Sequence, residues 1–402
     1  MRRRLNIPVM VLILAALAAA QAAPVVIKAR TVWDGDGKVL HNTSILVENG
    51  KITAVGSKLA TPPGTKTVNL ADMVVMPGWI DAHVHITYHF GPNGKYGERE
   101  DRASADKEIA ENARATLLAG FTTVQSVGSP GDLTLRQAIE SGSEPGPRIL
   151  TAVRPITNAK WTVEQIRDAV RRDKAQGADL IKIFASESIR DGAGRTLNDE
   201  QLRAACGEAT AEGLRSLVHA YKDAVRASAL AGCTEVEHGT LATADDLKVL
   251  AAHHTYFDPQ AGLVIHNYLD NQAHFMGVGN FNAAGFEAMR QAIPLNIQIF
   301  KEALATPGLQ IVFGTDAVAG AHGHNAEEFL YRVRDGGQKP MAAIEAAQSL
   351  NARAMALQGQ IGTIAPGLDA DLIGLECDPA RDITCVRKVG FVMKGGVVYK
   401  QP

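Results

Sequence analysis

The chain is 402 residues long, enough to bury a large core as one big domain or as a barrel with a smaller module. Lysine and arginine number 41 against 43 aspartates and glutamates, for a formal net charge of -2, and the two signs are interspersed. That balance excludes a basic face for nucleic acid or an anionic surface.

Arg2, Arg3 and Arg4 precede an apolar run from Val9 to Ala20, followed by Ala20-Gln21-Ala22. A charged start, a short apolar stretch and an A-x-A site make a secretory signal peptide over 1–22, cleaved after Ala22. An uncleaved anchor is the alternative, but the run is short for a span of about 20 residues. The expected product is exported, periplasmic or secreted, with no membrane span after cleavage. Export permits disulfides. Cys377 and Cys385 flank a turn-forming Asp378-Pro379 and are spaced so that a disulfide could close there, while Cys206, on the apolar face of a predicted helix, reads as an inert core thiol.

Residues 24–72 read as short strands separated by Gly35-Asp36-Gly37 and Asn49-Gly50, and the end of the chain reads the same way. Neither end has enough apolar surface for a stable sheet alone. The two are expected to pair into one β-sandwich module made of 23–73 and 367–402. Between them, over 74–366, apolar runs at 74–86, 120–127, 147–153, 178–184, 215–220, 235–239, 255–259 and 310–317 alternate with amphipathic helical segments. Thr162-Val163-Glu164-Gln165 is a capping box and Asn198 caps the next helix. Eight β-units predict an α/β fold, a (β/α)8 TIM barrel, with 260–309 as a lid-like insertion plus a helix.

The first apolar run leads through Pro77-Gly78-Trp79 to His83-Val84-His85. Side chains alternate across a strand, so the two histidines share a face and can grip one metal ion. Alone, such a pair is weak evidence. In a barrel, however, working residues sit at the C-terminal ends of strands. Lys182 lies inside the apolar Asp179–Phe184 run, and His219, His238 and Asp316 end three others. Singly, each has a plainer reading: a snorkelling lysine, a satisfied core histidine, a loop-capping aspartate. Together, four polar residues costly to bury unpaired, after a His-x-His, point to a metal site.

These motifs resemble the amidohydrolase superfamily, in its binuclear-metal branch similar to imidazolonepropionase-like proteins and prolidase-type carboxypeptidases. The resemblance covers nearly all of the mature chain, including the ending Val392-Met393-Lys394-Gly395-Gly396. It implies that His83 and His85 bind the more buried metal, that Lys182 carries a CO2-derived carbamate bridging two divalent ions, most simply Zn2+, and that His219 and His238 bind the second. Asp316 would bind the first metal and shuttle protons for a metal-bridging hydroxide. Burial supports the lysine's part, because it depresses the ammonium pKa and frees the amine for CO2.

Ring-opening and deaminating relatives typically carry His-x-x-Glu at the fifth strand. Here His219 is followed by Ala220, Tyr221 and Lys222, the His-x-Tyr form of the peptidase-like group, in which the tyrosine contacts substrate. The expected substrate is a small molecule with an amide or peptide bond, such as an N-acyl amino acid or a dipeptide with a free C-terminus. A lactonase, a cyclic amidase and a non-catalytic metal-bound binding protein are the alternatives. Arg154, past the third barrel strand, is a candidate for the substrate carboxylate. His266 and His324 are candidate substrate contacts, and His322 shares the eighth loop with His324. His89 is expected in a loop. Asp81 shares strand parity with the two histidines and either orients one of them or ties down the turn. A homo-oligomer is compatible with all of this.

Overall fold

The structure, a computed structural model, describes residues 23–402, so the expected leader lies outside it. Strands β1 (Val25–Trp33), β2 (Val39–Glu48), β3 (Lys51–Gly56) and β4 (Lys66–Pro77) come from the N-terminal part, and β12 (Leu372–Leu375), β13 (Val389–Lys394) and β14 (Val397–Lys400) from the end of the chain. They form one seven-stranded sheet in the order β14-β13-β12-β4-β1-β2-β3. The sheet curls back on itself. Its β2–β3 and β13–β14 turns meet so closely that a Cβ on Gly50, whose φ is +77°, would lie 2.8 Å from the Gly395 carbonyl oxygen. Ile52 on one side and Phe391 and Met393 on the other therefore share one core with Ile27, Ile45 and Leu372.

The run Met73-Val74-Val75-Met76, read from sequence as the start of the first barrel strand, belongs to this sheet instead. Val74, Val75, Met76 and Pro77 pair antiparallel with Leu375, Gly374, Ile373 and Leu372. An apolar run buried on both faces has the same composition in a barrel as in a curled sheet, so composition could not place the boundary.

The barrel begins at β5 (Trp79–Val84) and continues through β6 (Phe121–Ser126), β7 (Arg148–Thr151), β8 (Leu180–Phe184), β9 (Arg215–Ala220), β10 (Glu235–His238) and β11 (Tyr256–Asp258). All adjacent pairs within β5-β6-β7 and within β8-β9-β10-β11 are parallel. Two junctions close the cylinder. Ile156 donates to the Lys182 carbonyl at 2.8 Å and accepts from Phe184 at 2.9 Å. The eighth position is filled by 311–317, which bridges Phe257 through Ile311 and Val84 through Ala317 without forming a regular strand. Trp79, fully buried, packs on Phe121 at 5.3 Å and Phe329 at 5.0 Å. Burying side chains of this size stabilises by roughly 1.5–3 kcal/mol each.

The capping boxes form at Thr162 with Gln165 and at Asn198 with Gln201. Beyond β11, helices Leu263–Asp270 and Gln272–Phe275 lie ahead of the long helix Ala283–Ala305. Among the described residues no helix is long and apolar enough to cross a membrane.

The cysteines depart from expectation at one position. Cys206 is not a free thiol. It is bonded to Cys233, with the two Cα atoms 5.0 Å apart, because helix Asp199–Ala211 packs beside the turn that leads into β10. Sequence periodicity placed Cys206 on a buried face but not opposite Cys233. Cys377 and Cys385 are also bonded, across a Cα separation of 5.5 Å.

Candidate metal centre

The six ligand candidates converge at the C-terminal mouth of the barrel, where they line one cavity of about 210 Å³. His83 Nε2 lies 3.3 Å from Asp316 Oδ1, and His85 Nε2 lies 3.2 Å from the same oxygen. Lys182 Nζ is 3.2 Å from His83 Nε2. On the other side the His219 and His238 rings sit 4.5 Å apart, and His238 is 5.8 Å from His83. Atoms held about 2.0–2.1 Å from one tetrahedral ion are separated by roughly 3.3–3.4 Å, so the His83, His85 and Asp316 donors fit a divalent cation.

The electrostatics agree with that fit. Burial, and then the Lys182 charge, hold His83 well below its ordinary pKa and push His219 down to about 3. Burial and His219 hold His238 well below its ordinary value. Neutral imidazole is the ligating form. Burial also lowers the Lys182 pKa, against the opposing pull of Glu237 and Asp316.

Two of the ligand candidates sit on unusual backbone. His238 has φ +67° and Asp316 has φ +51°. At His238 the chain makes a three-residue turn, with Gly239 N donating to the Glu237 carbonyl at 2.9 Å. Such conformations cost about 1–3 kcal/mol for a residue with a side chain, and their concentration at the mouth fits a functional site.

The network beneath the ligands was not foreseen. Glu237 Oε2 accepts from His83 Nδ1 at 2.7 Å, which leaves Nε2 free to face Lys182 and Asp316. The Gln260 amide donates to Glu237 at 2.6 Å and to Asp258 Oδ2 at 2.7 Å. Asp258 Oδ1 receives Arg332 Nη2 at 2.8 Å, and Arg332 Nε reaches Glu328 at 3.0 Å. Arg332 is fully buried, so removing it would strand two carboxylates, at a cost of about 3–5 kcal/mol for such buried pairs. Gly314 makes room for this layer, since a Cβ there would lie 2.0 Å from Asp258 Oδ2.

Asp81 takes the second of its two readings. It accepts from Thr315 N at 3.0 Å, Thr315 Oγ1 at 2.7 Å and Asn325 Nδ2 at 2.8 Å, tying down the loop that carries Asp316. The imidazole of His83 is oriented by Glu237.

Tyr221 lines the cavity, stacked on His238 at 5.2 Å and edge-on to His219 at 5.0 Å. Burial raises its phenol pKa, which keeps the hydroxyl a donor. Three other sequence candidates fall elsewhere. Arg154 is exposed and donates to Gln176. Val153, at φ +59°, turns the chain there, with Arg154 N bonded to the Ala152 carbonyl at 2.6 Å. His266 stacks on Tyr331 at 4.7 Å, because Val264, Ile265 and Tyr268 supply the cavity face of its helix. His324 is exposed in a groove beside Arg387. His322 is buried, 3.1 Å from the Tyr88 carbonyl, and His89 is paired with Glu100 at 2.6 Å.

A (β/α)8 barrel with imidazole and carboxylate donors gathered at its mouth is the frame of a metal-dependent hydrolase. The chain belongs to the amidohydrolase family, whose model matches residues 74–399. It is 25% identical over 436 residues to ochratoxinase from Aspergillus niger, spanning 95% of this chain and 88% of that protein. The crystal structure of a Xaa-Pro dipeptidase with bound methionine in the active site superposes with a TM-score of 0.84 at 26% identity, covering 94% of this chain and 100% of the other. The crystal structure of A. niger ochratoxinase shares the fold at a TM-score of 0.79 and 23% identity, covering 95% and 97%. The protein is thus a hydrolytic enzyme acting on C–N bonds, with candidate ligands for a divalent metal.

Proposed function

We propose that the enzyme cleaves the amide bond of an N-acyl amino acid or of a dipeptide with a free C-terminus. The carrying observation is that Tyr221 of the His-x-Tyr form, in a chain with Lys222 where ring-opening relatives place the fifth-strand glutamate, shares one cavity with all six ligand candidates. The likeness to a Xaa-Pro dipeptidase holding a free amino acid supports the same substrate class.

In this reading His83, His85 and Asp316 hold one divalent ion, and His219 and His238 a second, with zinc the best match to the donor set. Lys182, whose burial disfavours the ammonium form, would add as the free amine to CO2, forming the N–C bond of a carbamate and releasing one proton. The ions, when bound, supply an activated water and polarise the scissile carbonyl. Asp316 accepts the proton lost by the attacking water and returns it to the leaving nitrogen, so that amide and water become acid and amine. Tyr221 donates its phenol proton in a hydrogen bond to the substrate's carbonyl or carboxylate. The aromatic walls of the cavity, among them Phe184 and Phe281, limit competing bulk water.

Export through the 1–22 leader belongs to the same proposal. It is supported by the two disulfides, which persist in oxidising compartments.

A substrate panel tests the reading: N-acetyl amino acids, dipeptides, lactones and cyclic imides, assayed with the zinc-loaded enzyme. Linear amides with a free carboxylate are expected to show the highest kcat/KM. A tenfold or greater preference for lactones or cyclic imides would overturn it.

A further inference from the structure

The proposed substrate carries a carboxylate into a cavity walled by aromatic and aliphatic side chains, and a buried anion needs a partner. Arg154, the candidate from sequence, points away from that cavity. Apart from the histidines, the basic side chains lining it are Lys182 and Arg190. Lys182 stands against His83, at the metal ligands.

Arg190 sits in the short 3-10 turn Ile189–Asp191 that follows β8. Its Nε donates to Asn280 Oδ1 at 2.8 Å. Its guanidinium carbon lies 4.1 Å from the centre of the Phe281 ring and 5.3 Å from that of Tyr268. Stacking on Phe281 fixes the plane of the fork, and Asn280 fixes its rotation. The Arg190 stem passes the first turn of helix Ala283–Ala305 at Gly285, where a Cβ would be 3.4 Å from Arg190 Cβ.

The neighbouring acid is taken up elsewhere. Asp191 accepts from the side-chain amide of Asn280, and among the described residues no carboxylate pairs with Arg190. Four of the guanidinium's five N–H donors, those on Nη1 and Nη2, therefore have no protein acceptor among the described residues. A half-buried, pre-oriented and unpaired guanidinium in the cavity that holds the metal ligands is a receptor for a planar anion.

Resting on the substrate class proposed above, we propose that Arg190 binds the free carboxylate of the substrate and makes the enzyme selective for amides of amino acids over their carboxyl-blocked forms. Asn280 and Phe281 are positioning residues for that fork.

The test compares acetyl release from N-acetyl-L-methionine and N-acetyl-L-methioninamide, which differ in the charge Arg190 would read. In R190Q the acid-to-amide ratio of kcat/KM is expected to fall about 10- to 150-fold, the worth of a hydrogen bond to a charged group, with most of the change in KM. R190K is expected to keep part of the preference, because the charge stays while the two-pronged geometry is lost. An unchanged ratio in R190Q overturns the assignment while leaving amide hydrolysis standing. If the wild-type enzyme cleaves neither compound, the functional reading fails by itself. Calorimetry with L-methionine on wild type and R190Q then still decides, because equal affinity would remove Arg190 from carboxylate binding. A thermal melt of R190Q matching wild type shows that neither result comes from misfolding.

Discussion

Lys182→Ala is expected to lose measurable turnover together with its metal. Losing an outer-shell partner of a metal ligand costs about 10- to 100-fold in affinity or activity, and a bridging group should cost more than the upper figure. The side chain is 1% exposed, and its burial disfavours the charged amine, so it is not placed there for stability. The variant should therefore fold, with a thermal midpoint in metal-free buffer at or above that of wild type. Elemental analysis of the purified variant, alongside hydrolysis of N-acetyl-L-methionine, checks both parts. Full metal content with a full rate would remove Lys182 from the site.

Asp316→Asn separates chemistry from binding. Asparagine tolerates the left-handed backbone at φ +51° almost as well as aspartate and keeps an oxygen for the ligand position. It has no basic oxygen to take a proton. Positioned acid–base groups contribute about 10²- to 10⁴-fold, so kcat should fall by that factor while KM changes little. A rate within threefold of wild type would show that another group moves the proton. A loss confined to KM would make Asp316 a binding residue only.

The cluster of six ligand candidates was legible because two rules of local residue pattern agree with one rule of barrel architecture. His83 and His85 share a face by the two-residue period of a strand, and Lys182 stands out as a charge in an apolar run. His219, His238 and Asp316 stand out because barrel strands expose their C-terminal ends. Each rule needs only the residues next to the one it marks. The boundary at Gly78 was not legible, since Val74–Pro77 before it and Trp79 and Ile80 after it are all buried and apolar.

The residues that were missed depend on partners distant in the chain. Glu237 reads as one more polar residue beside His238 until β5 and β10 bring its carboxylate 2.7 Å from His83, 154 residues away. Gln260 lies past the last regular barrel strand and works through contacts to β10 and β11. Arg190 gains its orientation from Asn280, 90 residues later. Strand-end logic pointed to Arg154, yet one residue of positive φ at Val153 turns it out to solvent. One signal was available in the sequence: the Glu235-Val236-Glu237 alternation puts two acids on one face of a barrel strand, an arrangement too costly to bury without a donor network. Buried as it is, Glu235 has its carboxyl pushed up to about 7.

The central claim is that these six side chains form a metal site on which amide hydrolysis depends. The most direct measurement is removal of bound metal with a chelator, followed by titration of Zn2+ into the metal-free protein while metal per chain and N-acetyl-L-methionine hydrolysis are recorded together. The account predicts no activity without metal and a rate that rises in step with occupancy to a limit of two ions per chain. Full activity in the metal-free protein, or restored metal without any amide hydrolysis, would contradict it.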